Sequence, residues 1–131
     1  MANLTINKIS ESGITSSLES CDTGGDEFLN SGIEFLMVDN SHASQAYSVT
    51  VTAQSVSFTH ATYGIVTKGN VVKTVSAGQI AFLGPFKQRA FNDSDQKVQI
   101  TYLTTGGAAL STIGIAAVHK LKIETLFLDQ N

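Results

Sequence analysis

Residues 47–54, with the sequence YSVTVTAQ, carry the alternation that decides the fold class. Tyr47, Val49 and Val51 fall on one side of an extended chain, while Ser48 and Thr50 fall on the other. A period of two residues is typical of a β-strand with one face in a core and the other in solvent. This stretch therefore predicts a half-buried strand.

Similar patterns recur on both sides of this strand. Residues 97–103 (KVQITYL) repeat the alternation, and residues 32–40 (GIEFLMVDN) form a continuous apolar run that predicts a central strand. Residues 78–86 and 111–121 each predict a further strand, and no segment carries a sustained helical stripe, although a short helix at 42–46 is compatible with the sequence. Residues 64–75 (GIVTKGNVVKTV) predict a hairpin turned at Gly69–Asn70.

About six to eight short strands separated by Gly, Pro and Asn predict an all-β fold. The expected architecture is a single antiparallel β-sandwich or barrel of the jelly-roll or immunoglobulin-like kind. A chain of 131 residues suits one such domain. Residues 1–31, rich in Ser, Thr, Asn and Gly, predict an extended N-terminal arm or edge strand, and residues 32–131 the sandwich domain.

The charge and hydropathy of the chain argue against some kinds of partner. Only 15% of the residues are charged, against about 25% in an ordinary domain, and the net charge is −3. The basic residues form no cluster that would offset phosphate charge, so we expect no nucleic-acid partner. No apolar run approaches the roughly 18 residues of a membrane span, so we expect no membrane partner. A weakly charged surface is poorly protected against self-association, which favours a protein that works in an assembly.

No catalytic or metal-binding constellation is evident in the sequence. Asp93 and Asp95 have the spacing of calcium ligands but lack the rest of a calcium loop, so a tight turn is the better interpretation. The three histidines show no ligand spacing, and Cys21 has no base beside it. We therefore expect no enzyme activity, no cofactor and no metal.

The loop at residues 82–95 concentrates unusual residues. It holds the only proline, Pro85, and the only arginine, Arg89, which Phe86 and Phe91 flank. Two interpretations stay open and are compatible with each other. Either both rings enter the core while Arg89 bonds the acidic turn that follows, or Arg89 and its aromatic neighbours form a docking surface, since aromatic residues and Arg are enriched at interfaces.

Residues 123–128 (IETLFL) are partly apolar on both sides of an extended chain, with Ile123 and Phe127 on one side and Leu126 and Leu128 on the other. They predict a core strand or a second arm. A strand that is apolar on both faces must be covered on both, and a neighbouring subunit can supply the second cover. These four residues complete the candidate interface, together with Phe86, Arg89 and Phe91.

The second half of the chain resembles a known family. The order QIAFLGPF (79–86), FNDSDQKVQITY (91–102) and STIGIAAVHKL (111–121) is similar to small β-sandwich head decoration (cement) proteins of tailed bacteriophages. The resemblance covers Val71–Leu121. It implies a virion protein on the outer capsid surface, made in the host cytoplasm, often homotrimeric, with the phage major capsid protein as partner. The alternatives are a tail or head–tail connector component, or a carbohydrate-binding β-sandwich module, which the absence of tryptophan weakens.

Overall fold

The computed structural model describes residues 2–10, 12–13, 15, 18–54, 57–104 and 113–119. Within these ranges the chain is built almost entirely of strands. The elements are β1 (Ala2–Asn3), β2 (Ile6–Lys8), β3 (Glu19–Ser20), β4 (Asp26–Leu29), β5 (Glu34–Asn40), β6 (Tyr47–Val51), β7 (Ser57–His60), β8 (Gly64–Thr67), β9 (Val71–Val75), β10 (Ile80–Leu83), α1 (Gln88–Phe91), β11 (Lys97–Thr104) and β12 (Ile113–His119).

Two sheets form a sandwich, which confirms the predicted all-β fold class. Sheet A has the strand order β1-β4-β11-β6-β9, and sheet B has the order β10-β5-β12-β2, with β3 also paired to β12. The central strand predicted at 32–40 is β5, which lies between β10 and β12. Most pairings are antiparallel, but β1 runs parallel to β4 and β2 parallel to β12, so both sheets are mixed.

One core fills the space between the sheets. Alternate residues of the strands point into it, as the period of two predicts. The fully buried side chains include Phe28, Tyr47, Val49, Val98 and Ile100 from sheet A, and Leu36, Val38, Ile113 and Ile115 from sheet B. Burial of these apolar surfaces is the main stabilising contribution to the fold.

The prediction of a hairpin at residues 64–75 is wrong. β8 pairs with β7, whereas β9 pairs with β6 as the edge strand of sheet A. The segment Gly69–Asn70 connects two different sheets, and the Asn70 side chain accepts a hydrogen bond from the Ala53 backbone N–H at 2.8 Å. Asn70 therefore ties the connection to the end of β6 instead of turning a hairpin.

An N-terminal arm separate from the sandwich is not confirmed. The described part of residues 1–31 supplies four short strands, β1 to β4, that pair with both sheets. Residues 42–46 contain no helix, and α1 lies instead inside the loop that follows β10. The candidate interface residues Ile123, Leu126, Phe127 and Leu128 lie outside the described residues. Across the described residues, the structure has no helix with the length and hydropathy needed to span a membrane.

Candidate interaction surfaces

The loop between β10 and β11 places Phe86 and Phe91 in the core. Each ring is only 2% exposed, and their centroids lie 5.5 Å apart in an edge-to-face arrangement. Phe86 also packs against Phe28, with centroids 6.1 Å apart. Of the two interpretations that the sequence left open for these rings, the structure shows the core one, so neither ring is available to a partner at the surface of this chain.

A buried asparagine that the sequence did not single out holds this loop. Asn30 is 2% exposed, and its Nδ2 donates to the Phe86 carbonyl at 3.0 Å and to Asn92 Oδ1 at 2.7 Å. In return, Asn92 Nδ2 donates to the Asn30 carbonyl at 3.0 Å. These bonds satisfy polar groups that would otherwise be costly to bury. No sequence signal pointed to them, because the groups lie about sixty positions apart along the chain.

Arg89 is exposed on α1, beside the acidic turn. Asp93 Oδ1 accepts hydrogen bonds from the backbone N–H groups of Asp95 (2.9 Å) and Lys97 (3.0 Å), and Oδ2 accepts one from Gln99 Nε2. The bond from the Lys97 backbone is the main reason that the pKa of Asp93 lies below its usual value. Asp93 therefore closes the turn predicted from its spacing, and whether Arg89 is an internal lock or an anchor for a partner stays a prediction.

The first exposed apolar surface lies at the β10 edge of sheet B. We call it the β10 patch and define it as Phe35 and Met37 of β5 with Ile80 and Phe82 of β10. Ile80 is 56% and Phe82 65% exposed, and the Phe35 and Phe82 ring centroids lie 6.2 Å apart. The sequence did not predict this surface, because β10 (IAFL) is apolar on both faces and its pattern does not say which face enters the core.

The second exposed apolar surface is the hairpin of β7 and β8, which pair only with each other among the described strands. Residues 57–67 contain no Asp, Glu, Lys or Arg. Near its turn, Tyr63 is 78% and Ile65 75% exposed. An uncharged hairpin outside both sheets, with a large aromatic and a large aliphatic side chain exposed, has the composition of a contact element.

A polar cluster is buried between the sheets near β4. Tyr102 donates its hydroxyl hydrogen to Asp26 Oδ2 at 2.6 Å, and within the described part of the chain Asp26 Oδ1 has no hydrogen-bond partner. Burial raises the pKa of Asp26, and it raises the pKa of the Cys21 thiol to about 12. Cys21 therefore stays protonated at neutral pH and is a poor nucleophile. The described residues include no group of three or more His, Cys, Asp and Glu side chains that could hold a metal ion.

No protein-family model, curated protein or solved structure matches this chain. The candidate interaction surfaces are therefore identified from the structure alone. They are the exposed Arg89 on α1, the β10 patch and the uncharged hairpin.

Proposed function

We propose that this protein is a virion structural protein, a capsid decoration or cement protein that binds the assembled head of a tailed bacteriophage and stabilises it. The observation that carries a docking role is the β7–β8 hairpin, which exposes Tyr63 and Ile65 on an element without charges. The resemblance of Val71–Leu121 to head decoration proteins supplies the virion as the setting. The weakly charged composition supports the same conclusion.

The mechanism of such a protein is mechanical. Tyr63 is a residue type that dominates binding energy at interfaces, because its ring buries a large area with few rotatable bonds. The hairpin would insert these side chains between neighbouring capsid subunits, and Arg89 would supply a second contact to a carboxylate. In a homotrimer three hairpins bind at once, so modest individual contacts combine through their high effective concentration.

The experiment compares variants for head occupancy and for stability. The reference is binding of the wild-type protein to assembled heads of the tailed bacteriophage that encodes it. The double variant Tyr63→Ser, Ile65→Ser should still fold, which a thermal unfolding curve checks, but lose about 2 kcal/mol or more of binding free energy per site. Leu103→Ser is the matched control, because Leu103 is 68% exposed on the outer face of sheet A and should bind as the wild type does.

The cement function and the role of the hairpin are tested by different outcomes. A wild-type protein that does not bind heads overturns the cement function itself. Binding that survives loss of the hairpin side chains overturns only the role of the hairpin, and Arg89→Lys then tests the second contact, because lysine keeps the charge but loses the bidentate fork. Copy number distinguishes the tail alternative: a decoration protein is present in hundreds of copies per virion, a tail or connector component in few.

A further inference from the structure

The outer face of sheet B is largely apolar across three strands. Since core residues alternate with outward ones, the residues on the outward side can be identified from the buried ones. They are Phe35, Met37 and Asp39 of β5, Gly114, Ala116 and Val118 of β12, and Ile80 and Phe82 of β10, and Asp39 is the one charged residue among them. Strands that are apolar on both faces are typical of a sheet that is covered on both sides.

Sheet A differs in this respect. Its outward apolar side chains stand singly among polar ones: Leu103 lies opposite Ser48, and Val72 lies opposite Thr50. Isolated apolar side chains are normal on a protein surface, whereas a contiguous apolar area marks a contact. The asymmetry between the sheets therefore points to a second layer on sheet B alone.

The outward side chains of β12 are covered, whereas those of β10 are open to solvent. On the outward face of β12, Ala116 and Val118 are buried, whereas Ile80 and Phe82 on β10 are mostly exposed. Part of the cover over β12 comes from Leu18, whose Cβ lies 3.1 Å from the position that a Cβ on Gly114 would take. The open part of the face is the β10 patch.

We propose that the β10 patch is the docking site for residues 123–128 of the same chain. The proposal does not depend on the capsid function. β12 ends at His119, and its residue Val118 is paired directly with Phe35 of the patch. Residues 120–128 reach up to about 30 Å when extended, whereas β10 lies two strand spacings, about 9.5 Å, from β12. The segment is therefore long enough to cross the patch.

Chemistry and tethering favour this occupant. The four patch residues are uncharged, and Asp39 borders them beside Ile80. In residues 123–128, Glu124 lies on the same side of an extended chain as Leu126 and Leu128, whereas the side with Ile123 and Phe127 carries no charge. We therefore expect the Ile123 and Phe127 side to pack on Phe35 and Phe82. A short tether gives an attached segment an effective concentration in the millimolar range. At micromolar protein concentration the chain's own segment therefore competes well against a second copy.

Tryptophan fluorescence tests the proposal, because the chain has no native tryptophan. Phe82→Trp places a single reporter in the patch, and Leu103→Trp places the matched reporter on the outer face of sheet A. We expect the patch reporter to emit at shorter wavelength and to be quenched several-fold less by acrylamide than the control reporter. Adding Leu126→Asp and Phe127→Asp, which changes both sides of the segment, should abolish the protection of Phe82→Trp and leave Leu103→Trp unchanged.

Dilution of the protein shows whether the patch is covered by the same chain or by a second copy. Protection that stays constant from micromolar to nanomolar protein supports docking within one chain. Protection that disappears on dilution shows that a second copy covers the patch, and it overturns the proposal. Equal quenching of the two reporters at every concentration also overturns it. A thermal unfolding curve for each variant ensures that only folded proteins are compared.

Discussion

At the scale of single residues, Asp26 is the group whose burial has the clearest energetic consequence. Its carboxyl is fully buried, and it receives hydrogen bonds from the Tyr102 hydroxyl and, at 3.2 Å, from the Asp22 backbone N–H. Burial is the largest cause of its raised pKa; the two hydrogen bonds oppose that increase, and the negative charges of Asp22 and Glu19 add to it. Burial and like charges both disfavour the ionised form, so folding favours the protonated carboxyl.

The sign of the pH dependence follows from this raised pKa. The stabilising contribution of protonated Asp26 is fully present below the usual pKa of an aspartate, about 3.9. It is lost as the pH rises through the raised pKa of the folded state, because the folded protein must then give up a proton that it holds more tightly than the unfolded chain does.

We predict that Asp26→Asn removes this loss. The free energy of unfolding of the variant should increase relative to wild type as the pH rises from about 4 to about 8, by about 1.4 kcal/mol for each unit by which the pKa is raised. Urea unfolding at a series of pH values measures it. Asp93→Asn is the control of opposite sign: because the pKa of Asp93 is lowered, its stabilising contribution is present above about pH 4 and is lost as the pH falls below that value, so this variant should differ from wild type less at low pH. Parallel curves for Asp26→Asn and wild type would contradict the assignment.

At the scale of elements, the end of β10 shows how one position constrains a strand and the loop that follows it. Gly84 has φ +114°, in a region that residues with a Cβ rarely adopt. A Cβ there would lie 3.0 Å from Phe86 Cε2 and 3.1 Å from Phe35 Cα. The loop that buries Phe86 therefore passes against the backbone of β5 with no space for a side chain.

We predict that Gly84→Ala destabilises the protein by roughly 2 kcal/mol or more, because backbone strain and a contact with a main-chain atom act together. Gly78→Ala is the matched control: its φ is +74°, but nothing lies within 4 Å of the new Cβ, so only the backbone cost of about 1 kcal/mol applies. Chemical denaturation of both variants measures the difference. Equal losses would show that the close approach to Phe35 is not a constraint.

The strands that could be predicted from sequence are those with a local pattern. β6 and β11 alternate clearly, and β5 is a continuous apolar run, so each was found at nearly its observed bounds. Strand partners could not be found in this way. β8 and β9 are both good strand sequences joined by Gly69–Asn70, but which strand each one pairs with depends on residues far away in the chain. The N-terminal strands, of two to four residues, are too short to show a period.

The candidate site was predictable only in part, for a related reason. Phe86, Arg89 and Phe91 stand out because they are close in sequence, yet the structure buries both rings and leaves Arg89 exposed. The β10 patch combines residues of two strands, and Phe35 and Phe82 become neighbours only when β10 pairs with β5. A surface assembled from distant segments leaves no mark in a short window of sequence.

At the scale of the whole molecule, we predict a homotrimer in solution. A surface with only 15% charged residues favours association, and the resemblance to decoration proteins gives the number of subunits. Sedimentation equilibrium at micromolar concentration measures the mass directly. A single species of 13.9 kDa would contradict the prediction. Tyr63→Ser, Ile65→Ser should remain trimeric if the hairpin is reserved for the capsid.

The position of β12 in sheet B also determines when the molecule can fold. β12 pairs with β5 from Ile113 opposite Asn40 to His119 opposite Glu34, and with β2 at Ala117 opposite Ile6. Contacts between such distant parts of a chain make folding slow, because the loop between them must close before the pairing is gained. During synthesis, β5 leaves the ribosome well before its partner β12, so one edge of β5 stays unpaired until β12 has been made. We infer that the newly made chain depends on chaperones, or on rapid completion of translation, more than the finished protein does.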